Sequence, residues 1–480
     1  MRKFLKISKI VLIFVLISGW VFSGWPRIWE NPEIPQKIKE VQAVNNPSAT
    51  IVKVGEFTVA TTTGATKSIN VGFQPKAVIF YWTSQSATGF IQPEGMFGVG
   101  FSSGSSATSS RAITYCSENQ NAGNNSDTAV RMSTSTIIIF KRDGISSGNC
   151  GILVSQADLV SMDTSGFTLS WSVTNTTLYI VRYMAIGGDD ITNTKAGTAT
   201  LTADTGNQSI SNVGFQPDFL FFISANASSS EYNTNVSKGR FNIGFSTAAT
   251  STQQAGIAIT GDDNETVSDT ATQYSTSSAL LFYYAAGAPP AINGAANLQS
   301  MDSGGFTINK TDATTANAEV FYLAVKGAEF YVNNLSQPSS AGDQQITAPG
   351  FQPLGLFMMT NSTTTPNAEN TNATLSIGAV GESTSSMGQI GFADITAANI
   401  PDPDAMTTTT EAITTLLGVK EAIPTITSFA TVKSFDSGGF TLNWGLADSV
   451  PRKIIYFAIG EGSSYEQSGY RWFNNTNSTQ

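Results

Sequence analysis

The stretch Gly72-Phe-Gln-Pro-Lys-Ala-Val-Ile-Phe-Tyr-Trp82 decides how the rest of the chain is read. Proline has no N–H to give to a sheet ladder, so Pro75 marks the entry of a strand and not its middle. The residues after it, Ala77 to Trp82, are apolar at both parities, the pattern of a strand covered on both faces. The tetrapeptide returns as Gly214-Phe-Gln-Pro217 and Gly350-Phe-Gln-Pro353, leading into Phe219-Leu-Phe-Phe-Ile223 and Leu356-Phe-Met-Met359. A second landmark follows each copy: Met162-Asp-Thr-Ser-Gly-Phe-Thr-Leu169, Met301-Asp-Ser-Gly-Gly-Phe-Thr-Ile308 and Phe435-Asp-Ser-Gly-Gly-Phe-Thr-Leu442. A third closes each copy: Tyr183-Met-Ala-Ile-Gly187, Tyr322-Leu-Ala-Val325 and Tyr456-Phe-Ala-Ile-Gly460. Three landmarks in one order, three times, at a period of about 140 residues, mark three tandem copies of one unit.

The units run over residues 51–190, 191–330 and 331–464, between an N-terminal segment, 1–43, and a tail, 465–480. Their joints are short and polar, as in Gly187-Gly-Asp-Asp190, which predicts units packed end to end. Phe97-Gly-Val-Gly-Phe101 and Phe241-Asn-Ile-Gly-Phe245 alternate strictly, as strands with one wet face do. No segment carries a convincing amphipathic helical period. Many short strands divided by Ser, Thr, Gly and Asn turns predict an all-β chain of three tandem β-sandwich repeats of jelly-roll type.

Composition excludes several functions. Charged residues are only 12% and the balance is acidic, 35 Asp plus Glu against 25 Lys plus Arg, with four of the basic residues (Arg2, Lys3, Lys6, Lys9) at the N-terminus. A duplex-binding protein needs a basic stripe against the phosphates, so nucleic acid is not an expected partner. Histidine is absent, which excludes imidazole general bases, Ser-His-Asp and Cys-His nucleophile activation, and His-ligated metals. The two cysteines, Cys116 and Cys150, both fall in the first unit. In an exported chain they close a disulfide loop; the alternative is two separate buried thiols.

Residues 1–43 read as an export segment. Basic residues precede the apolar run from Ile10 to Phe22, and Val41-Gln-Ala43 ends on the small residue a signal peptidase requires. Cleavage after Ala43 is the first reading, and an uncleaved anchor extended to Trp25 the second; either places the units outside the cytoplasm, with membrane contact only through this segment.

The combination of Gly214-Phe-Gln-Pro-Asp-Phe-Leu220, Ser303-Gly-Gly-Phe-Thr-Ile308 and Tyr322-Leu-Ala324 resembles β-sandwich modules of phage tail and receptor-binding proteins and of bacterial secreted surface proteins. The resemblance implies lectin-like folding and extracellular attachment, and it carries over no catalytic residue.

No residue is assigned a catalytic role. Asp163, Asp302 and Asp436 recur at one place in every unit, which suits a turn aspartate bonding its own downstream N–H better than a catalytic carboxylate. Glycoside hydrolysis needs two carboxylates facing each other, and the repeats offer no such pair. Aromatic rings are the usual platforms for sugars, which makes Tyr81, Trp82, Trp171 and Trp444 the candidate ligand contacts. Trp171 and Trp444 share a position that holds Lys310 in the second unit, so core-edge packing is the competing reading for them. No cofactor is expected. Acidic turns with calcium-like ligand density occur at Gly261-Asp-Asp-Asn-Glu265, Gly188-Asp-Asp190 and Pro401-Asp-Pro-Asp404; calcium is placed at Asp262, Asp263 and Glu265, where one turn supplies part of the six to eight oxygens that the ion takes. The expected function is therefore surface display or adhesion by repeated binding or stalk modules, with a surface glycan, a protein or further copies of the chain as partner. The alternatives are a structural subunit of an extracellular filament, sheath or fibre, and a carbohydrate-active enzyme.

Overall fold

The computed structural model describes residues 50–462 apart from 94, 105–108, 121–124, 141–149, 238, 248–252, 264, 267–268, 285–289, 397–402 and 420–421. The segment 1–43 and the tail 465–480 lie outside the described residues. The chain is all-β; the described part has no α-helix, and its strands form six antiparallel sheets in three pairs. In the first unit a large sheet runs in the order Ile51–Thr58, Ile180–Gly187, Pro75–Thr83, Gly95–Ser103, Ser110–Gln120, Asn125–Ser133. A four-stranded sheet runs Thr66–Asn70, Gly166–Val173, Leu153–Asp163, Ile137–Phe140. The other two units repeat this order. Each pair of sheets encloses its own apolar layer; in the first unit it includes Phe57, Phe80, Phe167 and Trp171.

Each landmark has a physical reason. Gly72, Gly214 and Gly350 have φ of 90°, 90° and 77°, the left-handed region where a side chain is costly. The glutamine after them donates Nε2–H to the carbonyl just before the repeated aspartate, Gln74 to Met162 (3.0 Å), Gln216 to Met301 (2.7 Å) and Gln352 to Phe435 (2.9 Å). That aspartate brackets a hairpin: Asp163 accepts from Ser161 (2.6 Å) and Thr168 (2.7 Å), Asp302 from Ser300 and Thr307 (both 2.7 Å), Asp436 from Ser434 (2.8 Å) and Thr441 (2.7 Å). The expected turn aspartate is thus a structural residue, but its partners are hydroxyls two before and five after it. Gly166, Gly305 and Gly439 lie against the carbonyls of Ile69, Ile210 and Ile346, where a Cβ would fall 1.9 Å away.

The units are not beads in a row. The large sheets turn their second faces inward on one shared core, which is why their central strands are apolar at both parities. Rings from different units meet there: Phe97 with Phe241 (4.8 Å) and Phe392 (5.0 Å), Tyr81 with Phe357 (5.9 Å), Phe221 with Phe357 (5.5 Å), Phe245 with Phe457 (5.2 Å). The first and third units touch directly, which a linear row forbids. The described residues accordingly form a single compact body.

Three arms lock this ring. The segment after each unit's first core strand crosses to the outer edge of a neighbour's large sheet. Ile91–Pro93 of the first unit joins Asp404–Thr408 of the third, Val236–Ser237 of the second joins Asn125–Ser133 of the first, and Asn370 of the third bridges Thr272 of the second. One docking bond is repeated three times: a residue with positive φ, Gly89 (83°), Asn233 (60°) or Asn367 (58°), donates its N–H to the carbonyl of Thr407, Met132 or Tyr274 at 2.8–2.9 Å. Those acceptors hold the same register, each opposite an isoleucine (Ile390, Ile113, Ile257). A cyclic, head-to-tail contact that closes after three steps leaves no unit with an unmatched face.

Candidate functional site

The aromatic candidates are interior. Tyr81, Trp82, Trp171 and Trp444 are all at most 1% exposed, so none offers a ring face to a sugar. Trp82 lies over Gly98, where a Cβ would fall 2.4 Å from the indole, and belongs to the layer between the first unit's two sheets. The large side chain survives because its partner strand has none. Tyr81 points the other way and donates its hydroxyl to the Gly388 carbonyl (2.8 Å) of the third unit, so its repeat-specific contact is made within the chain. Trp171 and Trp444 take the core-edge position; Trp444 Nε1–H bonds Gln344 (2.9 Å), and the equivalent Lys310 ends on Asp204 and Thr202.

The acidic turn does not gather its oxygens around an ion. Asp263 accepts from the Thr128 N–H (3.2 Å), Thr128 Oγ1–H donates to the carbonyls of Gly261 (3.1 Å) and Asp262 (2.8 Å), and the Glu265 carbonyl accepts from the Ser126 N–H (2.8 Å) while the Glu265 N–H donates to Ser126 Oγ (3.2 Å). Among the described residues no group of three or more Asp, Glu, Cys or His is arranged to hold a metal. The described contacts of Asp263 and Glu265 are those of a seam between the second unit and the first. Burial, first of all, pushes the Asp262 carboxyl up to about 6 and raises Asp127 and Asp269 beside it. Cys116 and Cys150 are joined as a disulfide, with Cα atoms 6.1 Å apart. The bond lies at this seam: the Cys150 N–H donates to Asp127 (2.7 Å), and the next residue's carbonyl accepts from Asn235 on the second unit's arm.

Concave surface lies along the seams between units. Where the turn after a unit's second core strand meets the first strand of the next unit, a groove opens, and it does so three times. The first–second groove, about 510 Å³, is lined by Ser109, Arg111, Lys195, Thr198, Asn212 and Tyr322. The second–third groove, about 450 Å³, carries Asp218, Gln216 and Gln253 of the second unit and Glu329, which opens the strand Glu329–Ser336 of the third unit's large sheet two residues before the boundary read from the sequence, and the third–first groove, about 270 Å³, carries Lys53, Glu382, Ser383 and Ser386. Among the described lining residues the charged groups differ from seam to seam: Arg111 and Lys195 at the first, Asp218 and Glu329 at the second, Lys53 and Glu382 at the third.

The arginines show how this diversity is built. Arg111 stacks over the Phe321 ring (5.5 Å) of the second unit, with Nε–H on Thr198 Oγ1 (2.8 Å) and Nη1–H on the Ser110 carbonyl (2.6 Å). Its register equivalents are Ala255 and Gly388, so no repeated feature of the scaffold demands it. At the third–first seam the arginine comes from the opposite side: Arg182 fills the space over Gly388, buried, paired with Glu56 (3.0 Å) and donating to Thr407 (2.7 Å). Sequence reading missed these grooves because each is assembled from two units about 90 to 330 residues apart, and only a ring-closed arrangement brings the halves together. No protein-family model, curated protein or solved structure matches the chain.

Proposed function

We propose that this protein is an exported, surface-displayed recognition body, in which three tandem β-sandwich units close into one pseudo-three-fold head and bind ligands along the seams between them. Export rests on the segment 1–43 and accords with a disulfide in the body it precedes. The first and last described stretches meet at one place, since Asp190 Oδ2 accepts from both Thr50 Oγ1 (3.1 Å) and the Gly462 N–H (2.7 Å). A head whose chain enters and leaves together suits attachment by one pole. The observation that carries the binding reading is that, among the described residues, each seam between units carries a groove and the charged side chains lining it differ from seam to seam, a diversity that a stalk does not need.

Antibodies raised against residues 51–464 test the reading. Labelling of intact source cells or particles without permeabilisation is the expected result; labelling only after permeabilisation would contradict display.

A further inference from the structure

Every seam is made by the same pair of strands. Ser110–Gln120 packs on Asn193–Leu201, Gln254–Gly261 on Glu329–Ser336, and Met387–Asp394 on Ile51–Thr58, so each unit offers one face to the next around the ring. A single register position on the offered face holds Arg111, Ala255 or Gly388. On the receiving sheet, the residue before the repeated tyrosine is Phe321, Ile455 or Arg182, and its neighbour on the first strand is Thr198, Asn334 or Glu56.

These positions match in three different ways. At the first–second seam Arg111 lies over the Phe321 ring (5.5 Å) and donates to Thr198 (2.8 Å). At the third–first seam the small partner is on the offered face: a Cβ at Gly388 would fall 2.2 Å from Arg182 Nη1, and Arg182 is paired with Glu56 (3.0 Å). At the second–third seam Ala255 and Ile455 are both buried in the shared core, and neither is charged.

A match at one seam is a mismatch at the others. The first unit against its own kind would set Arg111 against Arg182, two guanidiniums with Glu56 as the one carboxylate at these positions. Ala255 against Arg182 would drive a methyl group into the guanidinium, and Gly388 against Phe321 or Ile455 would leave empty the space that Arg182 fills. Arg111 against Ile455 would lose the ring it stacks on.

We infer that this position is a matching code between units: each face fits one neighbour and rejects the other two. Identical chains folding side by side therefore join first to second, second to third and third to first, and not like to like. The inference needs no ligand and stands apart from the recognition reading above.

The third–first seam of the protein lacking residues 1–43 tests the code, with Tm and light scattering as readouts. Gly388→Ala and Gly388→Arg each recreate a rejected pairing and are expected to lower Tm, by about 1–4 °C and by at least about 4 °C respectively. Arg182→Ile with Glu56→Asn installs the third unit's receiving pair, and on that background Gly388→Ala is expected to raise Tm. Arg182→Phe with Glu56→Thr installs the second unit's pair, and there Gly388→Arg is expected to give a folded monomer with no lower Tm than Gly388 itself. Comparing one substitution on two backgrounds separates a mismatch from a general loss of stability. If Gly388→Arg alone does not fold, a folded monomer in the combined variant still supports the code. A Tm change for Gly388→Ala that is equal on both backgrounds, or a Gly388→Arg chain no better folded with the second unit's receiving pair than without it, would overturn the inference.

Discussion

Phe357→Ala would test whether the three units share one core. Phe357 belongs to the third unit and is fully buried, stacked on Phe457 of its own unit (5.2 Å) and edge-on to Tyr81 of the first (5.9 Å) and Phe221 of the second (5.5 Å). Truncating a buried phenylalanine costs about 3–5 kcal/mol. A cooperative unit of roughly 410 residues has an unfolding entropy near 0.86 kcal/mol/K at about 2.1 cal/mol/K per residue, so Tm should fall by about 3–6 °C in a single transition. If the third unit unfolded alone, about 140 residues would carry the loss and its own Tm would drop by about 10–17 °C, the other units staying put. Tryptophan fluorescence separates the cases, because Trp82 and Trp171 report on the first unit, Trp444 on the third, and the second has none. In the protein lacking residues 1–43, with Trp444→Phe and Trp472→Phe leaving only Trp82 and Trp171, a first-unit transition that ignores Phe357→Ala would refute the shared core.

Other consequences follow from the seams. Asn367 holds the docking conformation at φ 58°, so Asn367→Val should cost about 1–2 kcal/mol in chemical denaturation, while Asn367→Gly should change it by no more than about 0.5 kcal/mol. The Asp262 carboxyl, raised by burial to about 6, keeps its proton in the folded body where the unfolded chain has lost it. Its contribution to stability is therefore present below the unfolded value of about 4 and lost as pH rises through about 6. Asp262→Asn should flatten the fall in Tm across that window, and an unchanged slope would rule Asp262 out as its source. Reduction of Cys116–Cys150 opens a loop of 34 residues and should cost about 3–4 kcal/mol, seen as a lower denaturation midpoint in dithiothreitol.

The repeat was legible because its landmarks answer steric and hydrogen-bonding demands that are identical in every unit. The left-handed glycine, the glutamine and the Ser-x-Asp bracket cannot drift without losing the same bond. The closure of the ring left no such mark. Its anchors are Gly89, Asn233 and Asn367, set in arms of different length and sequence, and a backbone N–H donor needs only a backbone that can turn. Apolar residues at both parities did report a second covered face, but not that another unit covers it. Tyr81 and Trp82 misled because they differ from Ile223 and Ser224; difference between repeats signalled a change of partner, Gly388 and Gly98, and not exposure.

Small-angle X-ray scattering on the protein lacking residues 1–43 tests the closed head most directly. A compact body of this size has a radius of gyration of about 22 Å, whereas three separate lobes in a row would give about 33 Å. A value near 22 Å that does not change with concentration is expected; a value near 33 Å, with the elongated distance distribution of a rod, would contradict the ring-closed arrangement and the seam grooves that depend on it.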